Sequence, residues 1–169
     1  MLPPLDPTSK SEGDGQPSYN DAGLLVPDRS RLALTIQQPW AELILRGIKT
    51  LEVRTISSPP HQLIYLYTSR KVSRAAYAGE AMEAHSLDEE SLPLGVVVGT
   101  VEIVGCHAAV EEDAAAACVP TSALAGKYCW ELAEPRRCPI PLVPRYTPFG
   151  MWFYPFLRQG TKRRRKNGN

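Results

Sequence analysis

Three ionisable residues, Lys49, Glu52 and Arg54, fall within six consecutive positions. Glu52 and Arg54 stand two apart, so on a strand they share one face. Lys49 has the opposite parity. It reaches that face only if it belongs to the turn at Gly47, ahead of regular strand geometry. Such a trio has usable chemistry. The lysine can donate to a phosphate or, desolvated, act as a base. The glutamate can steady the lysine, accept from a base amino group, or serve as a general base. The arginine fork fits a phosphate. The same trio also makes a structural ion pair that anchors a helix to a sheet, and both readings stay open. Just upstream, Gln38 carries an amide suited to a base edge or to a helix cap. Trp40 carries a ring that stacks on a base or fills a core.

Two further cationic groups stand elsewhere. Ser69, Arg70 and Lys71 are expected at the start of a helix over residues 70–84, where free N–H groups attract phosphate; a solvated face is the plain alternative. Lys162, Arg163, Arg164, Arg165 and Lys166 are five consecutive cations. They offer sequence-independent attraction to phosphates, a localisation signal in a nucleated cell, or only solubility.

The elements that must position these groups follow from periodicity. Leu32, Leu34 and Ile36 alternate with polar or small residues, which predicts a strand. Pro39 suits the start of a short helix carrying Trp40, Leu43 and Ile44, and Gly47 suits its left-handed stop. Strands are predicted over residues 50–55, 63–68, 95–104 and 128–133, with a short alanine-rich helix over 110–119. The prolines between Pro135 and Pro155 predict closing strands that are edge-like or interrupted. Strands do not alternate strictly with helices, so the fold class is α+β or barrel-like, a small curled mixed or antiparallel sheet.

The chain has 169 residues, 43% hydrophobic and 22% charged, with a formal net charge of +1. That is one domain's worth. The charge is uneven: residues 1–30 carry −3, residues 31–157 carry −2 and residues 158–169 carry +6. The expected organisation is a flexible arm over 1–30, a folded domain over 31–157 and a basic tail over 158–169. No apolar run is long enough for a membrane helix, and the first residues lack a secretory pattern. A cytoplasmic monomer is therefore expected, or a nuclear one if the tail is an address. The four cysteines form no closely spaced pair and the three histidines no metal spacing, so neither metal nor cofactor is expected.

The run from Thr35 to Arg54, with Gln38-Pro39-Trp40-Ala41 followed by Gly47, Lys49, Glu52 and Arg54, resembles the ASCH domain family in its G-x-K-x-x-E-x-R pattern. The later strands come in the expected order, and the likeness covers residues 31–157. The resemblance implies a PUA-like fold, a small mixed β-barrel with two or three short helices at its openings. It also implies a cleft beside the motif that binds RNA or other nucleic acid. Some small relatives hydrolyse N4-acetylcytidine, and they are similar in having a lysine at the position of Lys49. They have a threonine at the position of Glu52, so this chain departs from their catalytic arrangement, and Lys49 and Glu52 are catalytic candidates only if it is an enzyme. Glu80 and Glu102 are the positions considered for the enzymes' further glutamate. The leading expectation is a nucleic-acid-binding module. A nucleoside-directed hydrolase or weak nuclease, and a protein-interaction module of a transcription or RNA-processing complex, are the alternatives.

Overall fold

The computed structural model describes residues 18–19, 25–58, 62–148 and 150–157. In chain order these form β1 (Ser18–Tyr19), β2 (Leu25–Val26), β3 (Ala33–Ile36), α1 (Trp40–Leu45), β4 (Leu51–Arg54), β5 (Gln62–Thr68), α2 (Ala76–Ala84), β6 (Val97–Ala108), α3 (Ala114–Ala117), β7 (Tyr128–Leu142) and β8 (Trp152–Phe153). β1 and β2 pair with each other. The other six strands make one sheet in the order β4-β7-β6-β5-β3-β8. Only β3 and β5 run parallel, so the sheet is mixed. It curls into a half-barrel with short helices beside it, the α+β architecture the alternating pattern implies.

The period-2 pattern of β3 and β5 divides the core. Leu34, Ile36, Ile64 and Leu66 face the barrel interior with Val98, Val101, Ile103 and Trp130, and Ala41 and Ile44 of α1 plug that interior. The alternate residues Ala33, Tyr65 and Tyr67 face outward and are covered by Phe153 and Phe156. Tyr65 and Tyr67 meet those phenylalanines edge-on. A third cluster, Leu51, Ala117, Leu124 and Cys129, seats α3 on the outside of β4 and β7. Both faces of the sheet are thus apolar where β5 is central, which explains its nearly unbroken branched and aromatic run.

β7 extends nine residues past the predicted end, through Pro135, Pro139 and Pro141. β4 pairs only with Tyr128–Glu131. Leu132 N–H adds a bond to Thr50 O ahead of β4, and among the described residues β7 beyond Leu132 pairs on its β6 side, with shifted register between Val97 and Gly99. A residue lacking an N–H is tolerated there because one edge makes no ladder bond.

The segment expected as a helix from residue 70 begins as a helix only at Ala76. Ser69 N–H donates to Ile36 O (2.9 Å) and Ser73 N–H to Gln38 O (2.8 Å). These long-range bonds hold residues 69–75, an irregular segment bent at Arg70 and Lys71, against the β3–α1 connection, with Val72 buried. At the other end of the domain, the last part of the expected arm is tied to the body. Asp28 N–H donates to the Tyr65 hydroxyl (2.8 Å) and Arg29 Nε to Phe156 O (3.2 Å).

α1 is fixed by a buried carboxylate. Glu42 accepts from both Nη atoms of Arg137 on β7, each at 2.9 Å, and from Arg46 Nε at 2.8 Å. Burial pushes the Glu42 carboxyl up, but the Arg137 and Arg46 hydrogen bonds outweigh it and leave the pKa below the ordinary 4.5. A depressed folded-state pKa stabilises the fold fully above the ordinary value, and that contribution is lost as pH falls through the folded value. The urea midpoint is therefore expected to decline on acidification from about pH 5 to about pH 3. Glu42→Gln is expected to remove part of that decline, measured as urea midpoint against pH. An unchanged slope in the variant would refute the clamp.

Candidate functional site

Gly47 takes φ +71° just after α1, a left-handed conformation that glycine adopts without a Cβ penalty. The turn lets Ile48 and Lys49 N–H both bond Leu43 O, so Lys49 precedes the strand and is free of its alternation. Its side chain then reaches the side of Glu52. The Lys49 ammonium is 3% exposed. Nζ donates to Leu51 O (2.8 Å) and Ala117 O (2.7 Å) and lies 3.4 Å from Glu52 Oε2. It also sits 5.5 Å from the centre of the Trp40 ring. Nζ spends two hydrogen bonds on carbonyls of the fold and makes an ion contact with Glu52, so the lysine is a positioned charge turned into the fold.

Glu52 is 7% exposed and faces two cations. Its Oε1 lies 2.9 Å from Arg54 Nε. That pair is an ion contact without hydrogen-bond alignment, since Arg54 Nε has no aligned partner. Arg54 spends Nη2 on Thr35 O of β3 (3.1 Å) and lies near the Trp130 ring (5.9 Å). It thereby bridges β4, at one end of the sheet, to β3, next to the other end. Behind it, Trp130 stacks on Trp152 at 5.7 Å and donates to Ile56 O.

Trp40, Lys49, Glu52, Val53, Tyr77 and Lys127 line a cavity of about 100 Å³. Trp40 and Tyr77 form one wall, with ring centres 5.7 Å apart. Tyr77 and Val119 also border a wider groove of about 440 Å³ between α2 and α3, with Ala81, Ala84, Ala114 and Ala115 in its lining. Cys118 borders that groove, and burial pushes its thiol up against the opposing pull of Lys49.

The structure brings Trp40, Gly47, Lys49, Glu52 and Arg54 into one neighbourhood and leaves the other candidates apart. Gln38 is 0% exposed. Its Oε1 accepts from Glu42 N–H (3.0 Å) and its Nε2 donates to Pro93 O (3.2 Å), so the amide serves the fold. Ser69 bonds Lys71 locally, and neither they nor the exposed Arg70 line the cavity. Lys162, Arg163, Arg164 and Arg165 lie outside the described residues. Glu80 borders the wider groove, and Glu102 lies on β6. Tyr77 and Lys127 were not among the candidates. Tyr77 reads only as one aromatic in an expected helix, and its meeting with Trp40 depends on α2 crossing α1. Among the described residues, His107, Asp113 and Cys129 are a group of mixed nitrogen, oxygen and sulfur donors. No helix among them is long and apolar enough to cross a membrane.

The sequence model of the ASCH domain family matches residues 34–141. No curated protein matches the chain in sequence. The fold is similar to the crystal structure of ASCH from Zymomonas mobilis, at 13% identity and a TM-score of 0.50, covering 75% of this chain and 88% of that one. A serine-to-alanine variant of the Zymomonas protein aligns at 15% identity and TM-score 0.47, covering 76% and 90%. A tyrosine-to-phenylalanine variant aligns at 12% identity and TM-score 0.46, covering 75% and 90%.

Removing the lysine strands two buried carbonyls and a buried carboxylate. Lys49→Met is expected to cost about 3–5 kcal/mol of stability, the range for breaking one side of a buried pair, read by urea denaturation. A loss below about 1 kcal/mol, the size of a surface pair, would contradict the anchoring role.

Proposed function

The chain belongs to the ASCH domain family, and from that premise we propose that it binds single-stranded RNA by taking one unpaired base into the cavity between Trp40, Tyr77 and Glu52. The observation that carries this reading is the meeting of two aromatic rings and a buried carboxylate in one small cavity. Unpaired bases are held by stacking on aromatic rings and by hydrogen bonds to their edges. Glu52 lies between two cations, and a carboxyl group there suits an exocyclic amino group. A cavity of about 100 Å³ admits one base and no duplex. The family is often linked to RNA binding, and the mildly acidic body favours local recognition over a broad electrostatic surface.

Binding is favoured over hydrolysis by the state of the lysine. Its Nζ is engaged by two carbonyls and Glu52, an arrangement that positions rather than abstracts a proton. Arg70 and Lys71, both exposed, and the cations at 162–166 then supply phosphate contacts outside the cavity.

Fluorescence anisotropy with short labelled RNAs tests the reading. Single-stranded probes are expected to bind more tightly than duplexes. Tyr77→Ala is expected to weaken binding roughly fivefold to a hundredfold, the worth of one base–aromatic stack. Deleting residues 158–169 is expected to flatten the salt dependence without abolishing binding. Absence of binding to every probe at low salt, or an unchanged affinity in Tyr77→Ala, would sink the proposal. Release of cytidine from N4-acetylcytidine by the wild-type protein, lost in Glu52→Gln, would replace it with the hydrolase reading.

A further inference from the structure

We propose that His107, Asp113 and Cys129 form a binding site for a zinc-type divalent ion, which staples the α3 segment to the sheet. The three residues come from three places: the end of β6, the 3₁₀ turn Glu111–Asp113 and β7. Strand pairing sets His107 directly opposite Cys129, and the turn folds Asp113 back over both. One donor atom from each lies within 4.8 Å of the others. His107 Nε2 is 3.0 Å from Asp113 Oδ2, and Cys129 is wholly buried beneath. A modest inward shift brings such a triangle to zinc's bonding distances of about 2.0–2.3 Å. Thiolate, imidazole and carboxylate together favour zinc over calcium or magnesium, which prefer oxygen alone. Three protein ligands leave a fourth position for water.

The surroundings of the histidine are those of a metal ligand. Its other nitrogen, Nδ1, lies 3.0 Å from Glu131 Oε1. Both ring nitrogens face carboxylates, Nδ1 that of Glu131 and Nε2 that of Asp113; with an ion bound, Glu131 would hold Nδ1–H and leave Nε2 to the ion. The Glu131 carboxylate occupies space beside Gly105 that a Cβ would invade, at 2.6 Å from Oε2. Asp113 Oδ2 also accepts from Val110 N–H (2.9 Å), which holds the carboxylate toward the cluster. On binding, the ion takes the place of the Cys129 thiol proton, and of any proton on Nε2, and these pass to solvent. Thiolate and carboxylate then balance the two positive charges.

The place of the site in the fold gives the ion its effect. Asp113 immediately precedes α3, and Ala117 O at the end of α3 holds Lys49 Nζ. A bond between Asp113 and Cys129 thus fixes the support on which the lysine rests. The site stands apart from the Trp40–Tyr77 cavity and does not depend on what that cavity binds.

Cobalt(II), which reports thiolate ligation by its charge-transfer band, is the probe. The metal-free full chain is expected to take up one Co²⁺ with that band, to exchange it for Zn²⁺, and to gain thermal stability on loading. Cys129→Ser is expected to abolish the band. His107→Gln and Asp113→Asn are expected to weaken affinity at least tenfold, and Glu131→Gln by about 10–100-fold through the outer contact. Cys118→Ser and Cys138→Ser are expected to leave the band unchanged. Cys129 is buried and its variant is open to misfolding, so the decisive variant is the partly exposed His107→Gln, with circular dichroism to verify its fold. A wild-type chain without the cobalt band, or a band and affinity unaffected in folded His107→Gln, overturns the site.

Discussion

The ammonium of Lys49 is the tie on which the domain's functional end depends. One nitrogen accounts for the position of three elements. It is bonded to the strand that begins at Leu51, to the last carbonyl of α3, and to Glu52, and it rests over the ring of Trp40 on α1. Burying a charge this deeply is tolerated only when it is paired and hydrogen-bonded, and here the partners lie on β4, α3 and α1, which the ammonium ties together. α3 is only four residues long, too short to be stable by itself. Its location is inherited from the lysine beneath it and from the Leu51–Cys129 cluster beside it.

The same logic recurs in the carboxylates. Glu42 and Glu52 are both nearly buried, and each is compensated by two cations drawn from separate elements. Glu42 joins α1 to β7, and Glu52 joins the approach of β4 to its end. The barrel's incomplete closure is met by Arg54, whose hydrogen bond to Thr35 O spans strands that make no ladder together. Charged groups, not further β-pairing, therefore shape the mouth of the barrel. The cavity between Trp40 and Tyr77 inherits its polarity from that arrangement.

What could be read in the sequence was what depends on local pattern. The alternation around Leu34 and Ile36, the Pro39 start and the Gly47 stop of α1, and the parity argument for Lys49 all concern residues whose geometry is set by near neighbours. The family pattern around Gly47 and Arg54 carried the fold. Residues 70–75 were misread as helix because Ser69 and Ser73 N–H pair with the Ile36 and Gln38 carbonyls some thirty positions away, and no local signal records that. The choice at Gln38 between a base edge and a helix cap was likewise beyond local pattern: its amide is occupied inside the fold, where it takes the Glu42 N–H. Tyr77 and the His107–Asp113–Cys129 group were invisible because each depends on two elements meeting, and spacing along the chain says nothing of that. The length of β7 was missed because prolines argue against a strand unless one edge is known to go unpaired.

That half-paired strand has a bearing on solubility. An open β-edge is a template on which another chain can lay itself, and proteins blunt such edges with charge and with residues that cannot donate. Beyond Glu131, β7 presents Pro135, Pro139 and Pro141 in place of three donors, with the exposed Arg136 and Arg137 between them. The exposed Ile140 and Val143 nearby would otherwise invite association. The prolines that obscured this strand in the sequence thus act as its guard, breaking the row of donors that an incoming strand would need to extend the sheet.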